Sequence, residues 1–217
     1  MKVKICGIRT ELDMMAAIDS GAHYAGFMFW KKSCRYVSYA VASAIEKSVG
    51  GRISCVGVFV NPSFEEIEAA ISQVPINLIQ LHGDEKPERI LKIREQFNCE
   101  VIKAIPIATK DDIGNISDYE EVADYLLCDA KVAFDALNPQ RLTAYGGIGR
   151  KFDWSLLAGR KWKRPWFLAG GLDASNIQEA VRITGTKMID LSSGVEETRG
   201  IKSVAKIRNF MQIAKTI

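Results

Sequence analysis

Lys2-Val3-Lys4-Ile5-Cys6-Gly7-Ile8-Arg9 is the stretch from which the fold is read. Val3 and Ile5 alternate with Lys4 and Cys6, the two-residue period of a strand whose faces meet different surroundings. Gly7 lets the backbone leave that strand without a side-chain clash. Thr10 follows as a helix N-cap, and Asp13 three residues on completes a capping box. Alone, a strand ending in Cys-Gly is explained by packing, because free cysteine is a common buried residue. The pattern gains weight because it recurs.

Short β-branched runs alternate with helical patterns along the whole chain. Tyr24 to Phe29 reads as the second strand, after a helix from Leu12 to Ser20 that closes on Gly21; Ser38 to Ser48 reads as the second helix. Ile53 to Phe59 is the third strand, followed by a helix to Ile71 with Ser63 as N-cap and Glu66 as its box partner. Asn77 to His82 and Glu100 to Ile105 are the fourth and fifth strands, separated by a helix from Lys86 to Phe97. A fifth helix, Asp111 to Ala123, is interrupted at Gly114 and Asn115. Tyr125 to Asp129, Trp166 to Ala169 and Lys187 to Leu191 complete the strands, and Ser175 to Ile183 and Ser203 to Ala214 are the last helices. Eight strand–helix units in alternation imply parallel strands joined by right-handed crossovers. Eight closes an α/β (β/α)8 TIM barrel, a single domain over residues 1–217; a doubly wound open sheet is the rival. One segment, Ala130 to Lys151, departs from the rhythm as a long connection carrying Gly147 and Gly149, whose lack of side chains lets backbone amides approach a ligand.

Composition narrows the classes. The chain is 47% hydrophobic and 25% charged, and its net charge of +3 gives no global case for nucleic acid or a membrane surface as partner. Its five cysteines are scattered and never form a CxxC pair, which argues against a disulfide framework or a zinc site. No signal peptide is recognised ahead of Lys2, and no apolar run approaches the roughly 18 residues of a membrane span. The expectation is a reduced, cytoplasmic protein.

In a barrel of this kind, side chains at the carboxyl ends of the strands ring the active site. By that rule Cys6, His82, Asp129 and Asp190 all face one mouth, with Arg35 on the loop after the second strand. Gly170-Gly171 after the seventh strand and Ser192-Ser193-Gly194 after the eighth put small residues where such barrels hold a phosphate dianion.

Several blocks then resemble one family in order along nearly the whole chain. They are Lys4-Ile5-Cys6-Gly7, Lys32 to Ser38, Val56 to Asn61, Gln80-Leu81-His82-Gly83-Asp84-Glu85, Phe152-Asp153-Trp154, Leu168 to Leu172 and Asp190 to Glu196. The family is the phosphoribosylanthranilate isomerases of tryptophan biosynthesis. The resemblance implies an Amadori rearrangement of a phosphosugar substrate, N-(5-phosphoribosyl)anthranilate, without metal or organic cofactor. It also implies Cys6 as general base and Asp129 as general acid, with Arg35 receiving the anthranilate carboxylate and Gly147, Gly149, Gly170, Gly171, Ser192, Ser193 and Gly194 the phosphate. His82 either lines the aromatic pocket or satisfies a strand-end carbonyl, and His23 is structural. A thiol must lose its proton to be a base, and a carboxyl must still hold one to be an acid.

Periodicity carries one inference further. Lys4 shares the parity of Cys6 and so faces the barrel interior, where strand eight brings Asp190 alongside. The two are expected to pair, since a buried lysine is otherwise costly, and the Lys4 charge is expected to favour the Cys6 thiolate. The chain departs from the family pattern at Trp30, Lys31, Cys34 and Ile148, all in loops. Other readings are a histidine-pathway phosphosugar isomerase, which pairs two aspartates where this chain has Cys6 first, and a non-catalytic phosphosugar-binding barrel. The assembly is expected to be a monomer or homodimer.

Overall fold

The computed structural model describes residues 1–131 and 152–217. Eight parallel strands close a barrel in sequence order: β1 Lys2–Cys6, β2 Tyr24–Met28, β3 Ser54–Phe59, β4 Leu78–Leu81, β5 Glu100–Ile107, β6 Tyr125–Ala130, β7 Trp166–Leu168 and β8 Met188–Leu191. The open-sheet rival is thereby excluded, because β1 pairs with both β2 and β8. The helices are α1 Glu11–Ser20, α2 Tyr39–Val49, α3 Phe64–Ile71, α4 Pro87–Phe97, α5 Lys110–Gly114, α6 Ile116–Glu120, α7 Ile177–Thr184 and α8 Val204–Ala214.

Local chemistry sets the helix starts. The Thr10 hydroxyl accepts from the Asp13 N–H at 3.1 Å while the Asp13 carboxylate accepts from the Thr10 N–H at 3.2 Å. Ser63 and Glu66 form the same reciprocal box at the head of α3. Gly21 and Gly50 end α1 and α2 with positive φ of 87° and 62°, a conformation that costs glycine nothing. The expected interruption of the fifth helix is a break at Asn115 between α5 and α6.

Strand alternation sorts the core into two layers. Inward side chains, among them Tyr24, Val56, Val58, Leu78, Ile102, Leu127, Phe167 and Met188, fill the barrel, with Cys6 at the top of that cluster. Outward side chains such as Val3, Ile5, Phe27, Ile79, Val101, Leu126 and Ile189 pack against the helices. The simple alternation fails after β8. There a one-turn 3-10 helix, Ser193–Val195, leads into a two-stranded hairpin of β9 Glu196–Thr198 and β10 Ile201–Lys202 before α8 begins.

Glu85 organises the turns after β3 and β4. Its side chain is nearly fully buried and accepts from the backbone N–H groups of Asn61 at 2.8 Å and Gly83 at 3.0 Å, and from Lys103 Nζ at 2.7 Å. Lys103 also donates to the Gly83 carbonyl at 2.6 Å. Among the described residues no helix is long and apolar enough to cross a membrane.

Removing one member of a buried ion pair strands the other. Glu85→Leu is therefore expected to cost about 3–5 kcal/mol of unfolding free energy, read from urea denaturation. A loss below about 1 kcal/mol would show that the carboxylate is not what holds these turns.

Candidate active site

The site is built from the carboxyl ends of the strands. Cys6 ends β1 and is buried, and the backbone turns away at Gly7, whose φ is 81°. Two residues earlier on the same face, Lys4 is entirely sealed from solvent, and its Nζ lies 2.7 Å from Asp190 Oδ1. The register pairs Lys4 with Asp190 on one side and with Tyr24 on the other. Gly26, opposite Cys6 on β2, makes room for this arrangement: a Cβ there would stand 2.9 Å from Cys6 Sγ and 3.2 Å from Lys4 Nζ.

The expected Lys4–Asp190 pair is thus present, and Lys4 pulls the Cys6 thiol in the expected direction, but burial acts against it. Burial pushes the Cys6 thiol up and outweighs the downward pull of Lys4, while Asp190 also pushes it up and Lys202 pulls it down. Lys4 itself is pulled down by burial, yet Asp190 and Cys6 more than compensate and hold its proton more firmly than usual. The resting thiol is therefore protonated near neutrality, and Lys4 limits how hard it is to ionise rather than making it a thiolate outright.

Asp129 lies next to the end of β6, opposite Pro106 in the register. One carboxylate oxygen accepts from the Ala130 N–H at 2.8 Å, and the other sits 3.4 Å from His82 Nε2. Behind His82, the Gln80 side-chain amide approaches Nδ1 at 2.8 Å. His82 follows β4 directly, and its own N–H donates to the Phe59 carbonyl at 2.8 Å. Gly170, with φ of 86°, leaves β7 so close that a Cβ would stand 2.8 Å from the Ala130 nitrogen and 3.2 Å from Asp129 Oδ1.

At the rim, Arg35 is buried and its guanidinium fork meets Glu196, with Nε at 2.6 Å from Oε1 and Nη2 at 2.8 Å from Oε2. Its aliphatic stem covers Gly7, where a Cβ would stand 2.7 Å from Arg35 Cδ. Glu196 also accepts from Lys202 Nζ at 2.9 Å and from the Gly200 N–H at 3.1 Å. Lys202 continues to the Ser192 carbonyl at 3.0 Å, and Ser192 Oγ donates to the Cys6 carbonyl at 3.2 Å. Arg9 ties the same corner together by donating to the Gly200 and Cys34 carbonyls. A chain of contacts therefore runs from Arg35 through the hairpin to the turn after β8 and back to β1.

The turns after β7 and β8 are packed on each other. A Cβ at Gly194 would sink into the Leu172 carbonyl oxygen, and Gly170 and Gly171 both take positive φ. Asn176 braces the first turn by donating to the Gly171 carbonyl at 2.9 Å. Gly170, Gly171, Ser192, Ser193 and Gly194 are the small residues of these two turns, which meet where Gly194 lies against Leu172. Gly147 and Gly149 lie outside the described residues.

The mouth therefore gathers Cys6, Lys4, Asp190, His82 and Asp129, with Arg35 on its edge. His23 stands apart at the start of β2, its Nδ1 accepting from the Val3 N–H at 3.3 Å. Glu196, Lys202, Gln80 and Gly26 were not singled out by sequence. The Arg199-Gly200 turn flanked by Glu196 and Lys202 was the available signal for the hairpin, and the inward parity of Gln80 with His82 was the signal for their contact. All five cysteines are free, and among the described residues no cluster of three or more His, Cys, Asp or Glu side chains is arranged to hold a metal ion.

Comparison with known proteins bears directly on this geometry. The family model described as N-(5'phosphoribosyl)anthranilate (PRA) isomerase matches residues 3–213. The N-(5'-phosphoribosyl)anthranilate isomerase of Cereibacter sphaeroides is 42% identical over 215 residues, 99% of each chain. The crystal structure of phosphoribosyl anthranilate isomerase from Thermotoga maritima superimposes with a TM-score of 0.87 at 36% identity, covering both chains completely. A phosphoribosyl anthranilate isomerase in complex with reduced 1-(o-carboxyphenylamino)-1-deoxyribulose 5-phosphate superimposes at 0.84 with 33% identity, again over both full chains.

Burial alone would push Glu196 up, but Arg35, Lys202 and the Gly200 N–H hold it down at about 2, from an ordinary 4.5. A carboxylate depressed in the folded state stabilises the protein above its unfolded value and loses that contribution as the pH falls through the folded one. Between about pH 4.5 and 2 this group should account for roughly 2 kcal/mol of lost stability. The urea midpoint of Glu196→Gln should consequently fall less steeply on acidification than that of the wild type; parallel slopes would contradict this account.

Proposed function

The chain belongs to the N-(5'-phosphoribosyl)anthranilate isomerase family, enzymes of tryptophan biosynthesis, and on that premise we propose that Cys6 and Asp129 are the base and acid of its reaction. The reaction converts N-(5-phosphoribosyl)anthranilate to 1-(2-carboxyphenylamino)-1-deoxyribulose 5-phosphate. Asp129 gives its proton to the furanose ring oxygen, and the ring opens to a Schiff base. The Cys6 thiolate then takes the proton from the second sugar carbon, leaving an enolamine that tautomerises to the ketone. The observation that supports this reading most is that Cys6 and Asp129 occupy one barrel mouth, each with its own attendant: Lys4 below the thiol, His82 beside the carboxyl.

The remaining assignments follow the same mouth. Arg35, held along Nε and Nη2 by Glu196, is the cation assigned to the anthranilate carboxylate. The pair of turns carrying Gly170, Gly171, Ser192, Ser193 and Gly194 receives the phosphate through backbone amides, with Gly147 and Gly149 contributing from outside the described residues. Asp190, whose Oδ1 already takes Lys4, offers its carboxylate to a sugar hydroxyl, and His82 lines the aromatic pocket.

The chemistry requires a deprotonated thiol together with a protonated carboxyl, the reverse of the order in which these groups ordinarily titrate. In that situation the acid limb of the kcat/KM profile belongs to the carboxyl and the alkaline limb to the thiol. Raising the thiol lowers the plateau, because a smaller fraction of enzyme holds both groups in the working form.

Two tests follow. Turnover followed by anthranilate fluorescence should fall by roughly 10²–10⁴-fold in Cys6→Ala and in Asp129→Asn; turnover that survives both would refute the assignment. Lys4→Met should move the alkaline limb to higher pH and lower the plateau roughly tenfold for each pH unit the limb travels. An alkaline limb that stays in place would separate Lys4 from the thiol.

A further inference from the structure

Gln80 is an inward-facing glutamine on β4, about 1% exposed, in a barrel interior otherwise filled by Val56, Leu78, Ile102 and Leu127. A leucine or methionine would fill that space without burying an amide. Its Nε2 faces His82 Nδ1 at 2.8 Å, while its Oε1 meets no hydrogen-bond partner among the described residues. Half of a buried amide left unsatisfied weakens a fold, so the other half must return something that packing cannot. What it contacts is a histidine whose far nitrogen lies 3.4 Å from Asp129.

We propose that Gln80 is a positioning residue that fixes His82 as the neutral tautomer protonated on Nε2, so that His82 presents a donor to Asp129. A glutamine N–H at Nδ1 requires a lone pair there, which leaves the ring proton on Nε2. That nitrogen lies 3.4 Å from the carboxylate oxygen not already served by the Ala130 N–H, within reach of a small closing movement of the ring. When Asp129 has given its proton to the substrate, both oxygens then meet a donor, and the charge that forms on this largely buried carboxylate is stabilised where it appears. The inference rests on Asp129 acting as the acid. It assigns His82 a role toward the acid rather than only toward the aromatic pocket.

The surroundings leave few competing charges. Across the barrel stand Lys4, Cys6 and Asp190, with Lys4 and Asp190 paired to each other. The inward residues of β3, β5 and β7 beside the trio, Val58, Ala104 and Ala169, carry no charge. On the outer side, Lys103 and Glu85 neutralise each other, and burial holds the Cys128 thiol protonated.

The chain contains only two histidines, His23 and His82, which makes the test direct. Ring ¹⁵N NMR, with His23→Gln for assignment, should find His82 protonated on Nε2 in the wild type and spread over both tautomers in Gln80→Leu. In the same variant the acid limb of kcat/KM should move to higher pH, because the ionised carboxyl has lost a donor, with KM little changed. A purely structural glutamine would change neither the limb nor the tautomer, and its replacement by leucine would raise the urea midpoint without touching kcat. An Nδ1-protonated His82 in the wild type, or an unmoved limb in Gln80→Leu, overturns the proposal. Asp129→Asn serves as the separating control: if it retains turnover, the assignment of the acid fails, and if it is inactive while Gln80→Leu behaves as wild type, only the role of Gln80 fails.

Discussion

The Lys4–Asp190 ion pair is the constraint on which the interior depends. Two charges sit within a barrel that is otherwise apolar at that level, and neither could be there alone. Their pairing couples the first strand to the last, because the register that sets Lys4 opposite Asp190 is the one that closes the barrel. The ammonium group lies under Cys6, so a device that closes the fold also sets the electrostatics of the mouth. Its influence is limited by the same burial that makes it necessary: desolvation raises the thiol more than one ammonium can lower it. A buried cation and a buried thiol both lose water, and only the difference reaches the chemistry.

Much of this was legible in the sequence. Strand parity placed Lys4 inside and Asp190 beside it, because a two-residue period leaves no other choice once Cys6 faces inward. The capping boxes at Thr10 and Ser63 were readable because both partners lie within one helical turn. The break in the fifth helix followed from Gly114 and Asn115, although it falls at Asn115 as a clean division into two short helices.

What was not legible is what depends on long-range meeting. Glu196 and Arg35 are 161 residues apart, and nothing local in either stretch declares that a two-stranded hairpin will deliver a carboxylate to a loop arginine. The hairpin is only five residues of strand in total and carries no hydrophobic alternation strong enough to stand out. Gln80 escaped for a different reason. Its side chain is polar in an inward position, which sequence reading treats as an exception, whereas its meaning lies in the two groups lined up beyond it.

Gly26 has a consequence for how this barrel can be altered. A glycine within a strand is a weak point by propensity, since it loses the most conformational freedom on folding and packs nothing. Here the missing side chain is the space in which Cys6 Sγ and Lys4 Nζ lie. A substitution chosen on strand propensity alone would fill such a position, and here it would crowd the sulfur and the ammonium group and cost stability as well. The barrel seats a thiol and an ammonium group side by side by leaving one strand without a side chain.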